Sequence, residues 1–182
     1  MLVSDLIRSV RMRINDIEAI GFQEDELLDY VNAGIQWLHN TINRERPELL
    51  AVTETIKKEP KKSSKKAIRI LEGPEDLIVR MDGTLNTDQK VPFSMRYVPD
   101  ADNLKNTDTF PYFNVFKGFV VEFAAIRAQA RNEFDMNQEK ALLGEMEAQI
   151  LTVIWGVQNE RSDLDPYYPV CYHCGDYSGP NY

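Results

Sequence analysis

The clearest pattern in the chain is an apolar stripe at helical spacing between residues 22 and 43. Three carboxylates, Glu24, Asp25 and Glu26, precede the stripe, where negative charge favours the positive end of a helix dipole. The segment predicts an amphipathic packing helix that ends before Pro47, because the residue preceding proline disfavours helical geometry. Its apolar residues recur at three- and four-residue steps and are Leu27, Leu28, Val31, Ile35, Leu38 and Ile42.

A shorter stripe at the start of the chain predicts a first helix. It begins at Ser4, a residue suited to capping a helix, and ends near Asn15. Its arginines Arg8, Arg11 and Arg13 lie largely opposite the apolar side and are interpreted as a solvated or intersubunit face. A short loop joins this helix to the next one, so the two helices predict a hairpin.

Two later stripes predict a second pair of helices. One helix starts near Pro111, a residue tolerated in a first turn, and runs to Ala130 with alanines that allow close approach of a partner. The other helix is capped by Asp135, with Gln138 three residues later, and continues to Val157. The fold prediction is therefore mainly α, with a four-helix bundle-like body of two helical hairpins in residues 1–48 and 108–162.

Between the helix pairs the pattern changes to short β-prone runs separated by Pro, Gly, Ser and Asp. These runs are residues 50–56, 67–71, 77–81 and 91–98, and they predict a small antiparallel β-region inserted at 49–107. Residues 82–88 begin faintly like a calcium loop but lack its central glycine and closing glutamate, so a turn between strands is preferred.

The connection between the first two β-runs is rich in lysine and also holds Pro60 and a pair of serines. It is too polar to pack, which predicts an exposed, solvated loop, with a local contact to a phosphate backbone as the alternative. The candidate contact residues are Lys57, Lys58, Lys61, Lys62, Lys65 and Lys66.

Residues 163–182 form a tail in which five tyrosines mix with three prolines and no helical period survives. Tyrosines in an extended, proline-restricted segment give a large contact area at low entropic cost, so docking into a groove on another subunit or protein is expected. A disordered tail is the alternative. The candidate binding residues are Tyr167, Tyr168, Tyr172, Tyr177 and Tyr182.

The tail also holds the only two cysteines of the chain. Cys171, His173 and Cys174 are weak candidates for a metal site, because they supply at most three ligands where a structural zinc site normally uses four. No βαβ pattern surrounds them, which disfavours a redox dithiol. No cofactor is therefore predicted.

Composition narrows the function classes. With 182 residues, of which 43% are hydrophobic, the chain can form one domain with an insertion and a tail. Its net charge of -8 disfavours a general nucleic-acid binder and a membrane-surface protein. The absence of a long apolar run and of a secretion signal predicts a soluble protein that is not exported by the usual route. Phosphate loops, dinucleotide fingerprints and nucleophile motifs are also absent, so no enzyme is predicted.

The order of these elements resembles a known family. After the short first helix come Phe22 and then the run Asp-Glu-Leu-Leu-Asp-Tyr-Val-Asn-Ala-Gly at 25–34, followed by a stripe with Ile35, Trp37 and Leu38. The run Phe-Pro-Tyr-Phe at 110–113 leads into a second similar stretch at 121–128. Together these segments resemble the head-to-tail adaptors of tailed bacteriophages, also called head-completion, connector or tail accessory proteins.

The resemblance implies a non-enzymatic virion protein of the neck, assembled in the host cytoplasm. Such adaptors form a homo-oligomeric ring, typically a dodecamer of about twelve copies, beneath the portal protein. The ring joins the capsid to tail or tail-nozzle proteins and lets genomic DNA pass without specific binding. In this interpretation the tail reaches toward the portal, and no membrane is involved. The alternative is a small metal- or nucleic-acid-binding regulator that uses the cysteine-containing tail and the lysine-rich loop.

Overall fold

The structure, a computed structural model, describes residues 1–80, 82–131 and 136–162. The helices are α1 (Val3–Arg13), α2 (Glu24–Glu45), α3 (Lys117–Ala130) and α4 (Met136–Ser162), and short 3-10 turns lie at Pro47–Leu49 and Asn114–Phe116. The strands are β1 (Val52–Ile56), β2 (Ala67–Glu72), β3 (Ile78–Val79), β4 (Leu85–Asn86) and β5 (Phe93–Pro99). This confirms a helix-rich chain with an antiparallel β-region between its helix pairs.

Helix α1 begins at Val3, one residue earlier than the Ser4 cap predicted from sequence. The carboxylate of Asp5 accepts a hydrogen bond from the backbone N–H of Leu2 at 3.0 Å, so Leu2 takes the capping position and Ser4 lies inside the helix. After the helix, Asn15 adopts a φ of 58°, a left-handed conformation that asparagine tolerates better than most residues.

Helix α3 begins at Lys117, later than the start predicted near Pro111. The preceding segment is held in a non-helical path because the hydroxyl of Tyr112 bonds to His39 on α2 at 2.8 Å. A tertiary contact therefore overrides the local tolerance for proline in a first turn.

Helix α4 reaches Ser162, where the helical body is predicted to end. The predicted cap Asp135 lies outside the described residues, as does the whole tail from 163 to 182. The predictions made for the tail residues are therefore not addressed by the fold.

The four helices do not form a clear four-helix bundle of two hairpins. Helix α3 contacts α1, α2 and α4, and its contact with α1 is more extensive than that between the sequence neighbours α1 and α2. Helices α2 and α3 approach closely, because Gly34 on α2 has no side chain and Ala124 and Ala128 on α3 are small and buried. The body core includes Leu6, Val10, Leu27, Val31, Leu38, Val120, Ile150 and Ile154.

The β-region has a core of its own. Strand β5 lies in the middle of a three-stranded antiparallel sheet of order β1-β5-β2, while β3 and β4 form a separate hairpin. The turn predicted at 82–88 lies in this hairpin. The same segment also contains β4, a strand that the sequence pattern did not predict. The buried side chains beneath the sheet are Ile56, Ala67, Leu85, Phe93, Met95 and Tyr97. Among the described helices, none is both long and apolar enough to cross a membrane.

Candidate interaction site

A cleft of about 420 Å³ lies where the helical body meets the end of β5. Helix α2, the segment after it and the chain between β5 and α3 form its walls. Most of the lining side chains are apolar and include Ile35, Ile42, Leu49, Leu50, Pro111 and Phe116. An apolar cavity with a few polar groups is the usual form of a binding site.

The polar centre of the cleft is His39. Its Nε2 lies 3.0 Å from the carbonyl oxygen of Pro99, and its Nδ1 lies 2.8 Å from the hydroxyl of Tyr112. A carbonyl can only accept, so Nε2 carries the proton, and in the neutral ring Nδ1 accepts the hydrogen bond that Tyr112 donates. Burial lowers the pKa of His39 and raises the pKa of Tyr112 well above its usual range.

This geometry joins three parts of the chain rather than presenting a reactive group. His39 lies on α2, Pro99 ends β5, and Tyr112 precedes α3. Both ring nitrogens of His39 are engaged within the protein, so the imidazole holds the cleft walls together. The arrangement suits recognition of an apolar group better than proton transfer.

The rim of the cleft combines apolar and charged side chains. Val52 and Phe113 line the cleft and are exposed. Lys65 pairs with Asp102, and Lys66 pairs with Asp100 at 3.2 Å, with all four side chains about half-exposed. Exposed ion pairs contribute little to stability, so these lysines can change partners at small cost.

The lysine-rich segment 57–66 is more closely attached to the β-region than its composition predicts. Lys61 is only 14% exposed, and its Nζ donates to the carbonyl oxygen of Thr87 at 2.7 Å. Ser63 is buried, and the carboxylate of Glu54 accepts hydrogen bonds from Ser64. The expectation that this segment is too polar to pack is wrong for Lys61 and Ser63. The other five lysines, Lys57, Lys58, Lys62, Lys65 and Lys66, are exposed, and their role in contacts stays a prediction.

The loop between α1 and α2 has a defined shape that sequence reasoning missed. Arg11 was predicted on a solvated face, but its side chain is only 13% exposed and its Nη1 lies 2.6 Å from Asp16. The other oxygen of Asp16 accepts the N–H of Gly21 at 2.8 Å. These interactions, first that with Gly21, lower the pKa of Asp16. Arg11 also donates to the carbonyl oxygen of Phe22 at 3.1 Å, which closes the loop.

Two large apolar side chains project from this closed loop. Ile17 is 70% exposed and Ile20 is 79% exposed, which makes them the most exposed large apolar residues of the described chain. We call residues 15–21 the prong. The sequence signal was two isoleucines in a loop that also contains Asp16 and Gly21, an unusual use of large apolar residues where loops are normally polar.

Charge is distributed unevenly between the two regions. Residues 15–29, which include the prong and the start of α2, contain six acidic residues and no basic one. Residues 57–66, of which only Lys65 lines the cleft, contain six lysines and one acidic residue. The cleft itself is not basic, because Asp100 and Asp102 line it together with Lys65.

The remaining predicted site residues are not placed by the structure. Tyr167, Tyr168, Tyr172, Tyr177 and Tyr182 lie outside the described residues, as do Cys171, His173 and Cys174. Within the part of the chain that is described, no group of three or more His, Cys, Asp or Glu side chains could hold a metal ion.

Comparison with protein families and curated proteins found no relative of this chain. No protein-family model matches the chain, and no curated protein is similar enough to it to indicate kinship.

Proposed function

We propose that this chain is a structural virion protein, a head-to-tail adaptor that forms a ring beneath the portal of a tailed bacteriophage. The ring joins the capsid to the tail and continues the DNA channel. In this proposal the helices form the wedge-shaped body of each subunit, the β-region extends to neighbours or tail components, and the tail from residue 163 binds the portal.

The observation that carries the proposal is the role of the family-like run around residues 22–34. Phe22 lies 5.4 Å from the guanidinium of Arg131, and Glu26 accepts two hydrogen bonds from that guanidinium at 2.8 Å. Tyr30 donates to Glu26 at 3.1 Å. This run therefore connects α2 to the end of α3, which supports the view that the resemblance reflects a shared body plan.

Asn32, a further member of that run, fixes the chain where it returns from the β-region. Its amide nitrogen donates to the carbonyl oxygen of Leu104 at 3.0 Å, and its amide oxygen accepts the N–H of Leu104 at 2.9 Å. A β-region inserted between helix pairs needs such an anchor, because its return strand must be brought back to the body. The contact of Asn32 with Leu104 thus holds the inserted β-region to the helical body, as the order of elements in the resemblance requires.

Charge is consistent with the channel role. The β-region, residues 52–99, has ten basic and seven acidic residues, whereas the rest of the chain has eleven basic and 22 acidic residues. A ring whose helical bodies face the channel would repel DNA phosphates and allow the genome to slide. The orientation of the bodies in the ring is part of the proposal.

Electron microscopy of reconstituted complexes tests this function. The purified chain, mixed with the portal protein encoded beside it, is expected to form rings on one face of the portal. Persistent absence of such rings across salt concentrations, or a gene neighbourhood without portal and capsid genes, would contradict the proposal.

The exposed lysines Lys57, Lys58 and Lys62 support a second candidate, a nucleic-acid-binding regulator. A DNA mobility-shift titration over salt discriminates between the two, because binding through phosphates weakens steeply as salt rises. Tight, salt-sensitive binding that is lost when these three lysines become glutamine would favour the regulator. Stoichiometric zinc that is lost on Cys174→Ser would favour its metal-binding form.

A further inference from the structure

Strand β1 forms an edge of the sheet at which a further strand can add. In the part of the chain that the structure describes, β1 pairs on one side only, with β5, in unbroken register from Val52 opposite Tyr97 to Ile56 opposite Phe93. In an antiparallel pair, alternate residues turn their N–H and C=O groups away from the partner. The outer edge of β1 therefore offers a regular row of backbone donors and acceptors, which is the usual template for an added strand.

The features that commonly protect a sheet edge distinguish β1 from the opposite edge. Strand β1 reads Val-Thr-Glu-Thr-Ile and contains no proline or lysine. Its one charged residue, Glu54, is engaged by its neighbours, because its carboxylate accepts hydrogen bonds from Tyr97 at 2.9 Å and from Ser64 at 3.0 Å. Strand β2, by contrast, has two register shifts against β5, and such bulges hinder further pairing. Added pairing is therefore directed to β1.

A segment of the same chain matches this edge. Residues 170–174 read Val-Cys-Tyr-His-Cys and are bounded by Pro169 and Gly175. The run has five residues, as β1 has, contains no Asp, Glu, Lys or Arg, and includes β-branched and aromatic residues that are favoured in strands. Because the described strands already pair with one another, the tail is the part of the chain that can supply a further strand.

The tail also begins close to β1. Helix α4, from which it continues, places the ring centroid of Trp155 5.0 Å from the guanidinium of Arg46, and Arg46 directly precedes the 3-10 turn Pro47–Leu49 that leads into β1. Ser162 lies seven helical residues beyond Trp155, about 10 Å along the axis. Eight further residues reach Val170 and span up to about 26–29 Å when extended. The run has the reach to lie along β1, and its attachment to the same chain keeps its local concentration high.

We propose that residues 170–174 pair with the outer edge of β1 in the same chain and extend the sheet to the order tail-β1-β5-β2. Only Tyr172 of the five tail tyrosines lies in the added strand, so the other four flank it and stay available to a partner. The pairing holds the middle of the tail to the β-region. This inference does not depend on the ring proposed above.

Hydrogen exchange tests the pairing in the intact protein. Amides of β1 are expected to exchange about tenfold more slowly in the full chain than in a chain ending at Asp163, because the added strand supplies acceptors for them. The amides of β2 are the internal control, since that edge gains no strand. The helical body packs around a separate core, so the thermal midpoint of the body stays unchanged on truncation.

Two consecutive prolines distinguish the strand from the rest of the tail. Successive residues of a strand point their N–H groups to opposite sides, so Tyr172→Pro with His173→Pro removes one donor that faces β1 in either register. The slow exchange of β1 should then be lost. Tyr177→Pro with Ser178→Pro is the matched control, because both positions lie outside the run, and it should retain the slow exchange.

Disulfide formation locates the contact within one chain. Thr53 is exposed on β1, and Ile68 on β2 is 39% exposed and serves as the control position. With oxidised glutathione, Thr53→Cys is expected to form an intrachain disulfide at a yield about tenfold above that of Ile68→Cys. Cys171 and Cys174 are three positions apart and face opposite sides of a strand, so only one of them should pair with position 53.

Four results would overturn the proposal. Equal exchange of β1 in the full and truncated chains would show that the tail does not cover this edge, and equal disulfide yields at positions 53 and 68 would show the same. Slow exchange at residues 110–116 instead of β1 would place the tail in the cleft. A disulfide of Thr53→Cys found only between two chains would assign the edge to a second copy.

Discussion

At the scale of single residues, His39 shows how one side chain can join separate parts of a fold. Its imidazole accepts from Tyr112 and donates to the carbonyl oxygen of Pro99, so protonation of Nδ1 would remove the acceptor that Tyr112 uses. The folded state therefore favours the neutral ring, and burial lowers the pKa of His39 below its ordinary value of 6.5.

The stability of the protein should consequently depend on pH through His39. The unfolded chain takes up a proton as pH falls through about 6.5, whereas the folded chain resists protonation until a lower pH. Stability is thus full above pH 6.5 and declines below it, by at most about 1.4 kcal/mol per pH unit from this one group. Urea unfolding between pH 7.5 and 5 should show this decline, as an order-of-magnitude effect, in the native chain and a flatter dependence in His39→Gln. Equal slopes would contradict the prediction.

Asn32 provides a second prediction at this scale. Asn32→Ala removes both side-chain hydrogen bonds to Leu104 and leaves a half-buried backbone N–H and C=O without those partners. A loss of about 1–3 kcal/mol in the free energy of unfolding is expected from such unsatisfied groups. Asn40→Ala is the matched control, because Asn40 lies on the same helix and is exposed. Similar urea midpoints for the two variants would show that the anchor contributes nothing.

At the scale of elements, the contact between α2 and α3 depends on the absence of a side chain. A Cβ at Gly34 would lie 3.1 Å from Cδ1 of Phe123 and 3.3 Å from the carbonyl oxygen of Val120. The backbone oxygen cannot swing away as a flexible side chain can, so the helices would have to separate. Phe123 in turn stacks on Trp37 with ring centroids 5.1 Å apart, so its movement would disturb a second contact.

Gly34→Ala should therefore destabilise the protein by about 1–3 kcal/mol, the usual cost of overpacking. Gly144→Ala on α4 is the control, because nothing lies within 4 Å of a Cβ at that position. There the better helix propensity of alanine should raise stability by about 0.5–1 kcal/mol. Thermal unfolding of the two variants should move the midpoint in opposite directions, and a shift in the same direction would refute the packing argument.

The sequence was sufficient to predict an element where the signals that define that element are local. The bounds of α2 follow from its acidic start, its apolar stripe and Pro47, and all three are visible in the sequence. The β-runs were visible as well, because alternation and turn residues are local signals. The start of α3 was not visible in the sequence, because it depends on a hydrogen bond between Tyr112 and the distant His39. The central place of α3 likewise depends on packing between distant segments.

The candidate site was harder to predict than the fold for the same reason. The prong exists because Arg11 turns inward to Asp16, while helical periodicity alone placed Arg11 outward. The cleft arises only when Pro99, Tyr112 and α2 come together, and no single segment carries its pattern. Lys61 was predicted as solvated because its neighbours are polar, yet the carbonyl of Thr87 gives its ammonium a partner.

At the scale of the whole molecule, the charge distribution gives the subunit a direction. Residues 52–99 carry ten basic and seven acidic residues, whereas the rest of the chain carries eleven basic and 22 acidic residues. In the proposed ring, helical bodies that face the channel would therefore repel DNA phosphates. Portal attachment is assigned to a different part of the chain, the tail from residue 163.

Removal of the tail should weaken portal attachment and leave the helical body folded. A chain ending at Asp163 retains all four helices and the β-region, so its thermal midpoint is expected to match that of the full chain. Its attachment to the portal should weaken by about tenfold or more, because the tyrosines proposed to anchor it are gone.

The opposite outcome would contradict the proposed role of the tail. If the truncated chain attached to the portal as tightly as the full chain, the tail would have no part in the mechanism.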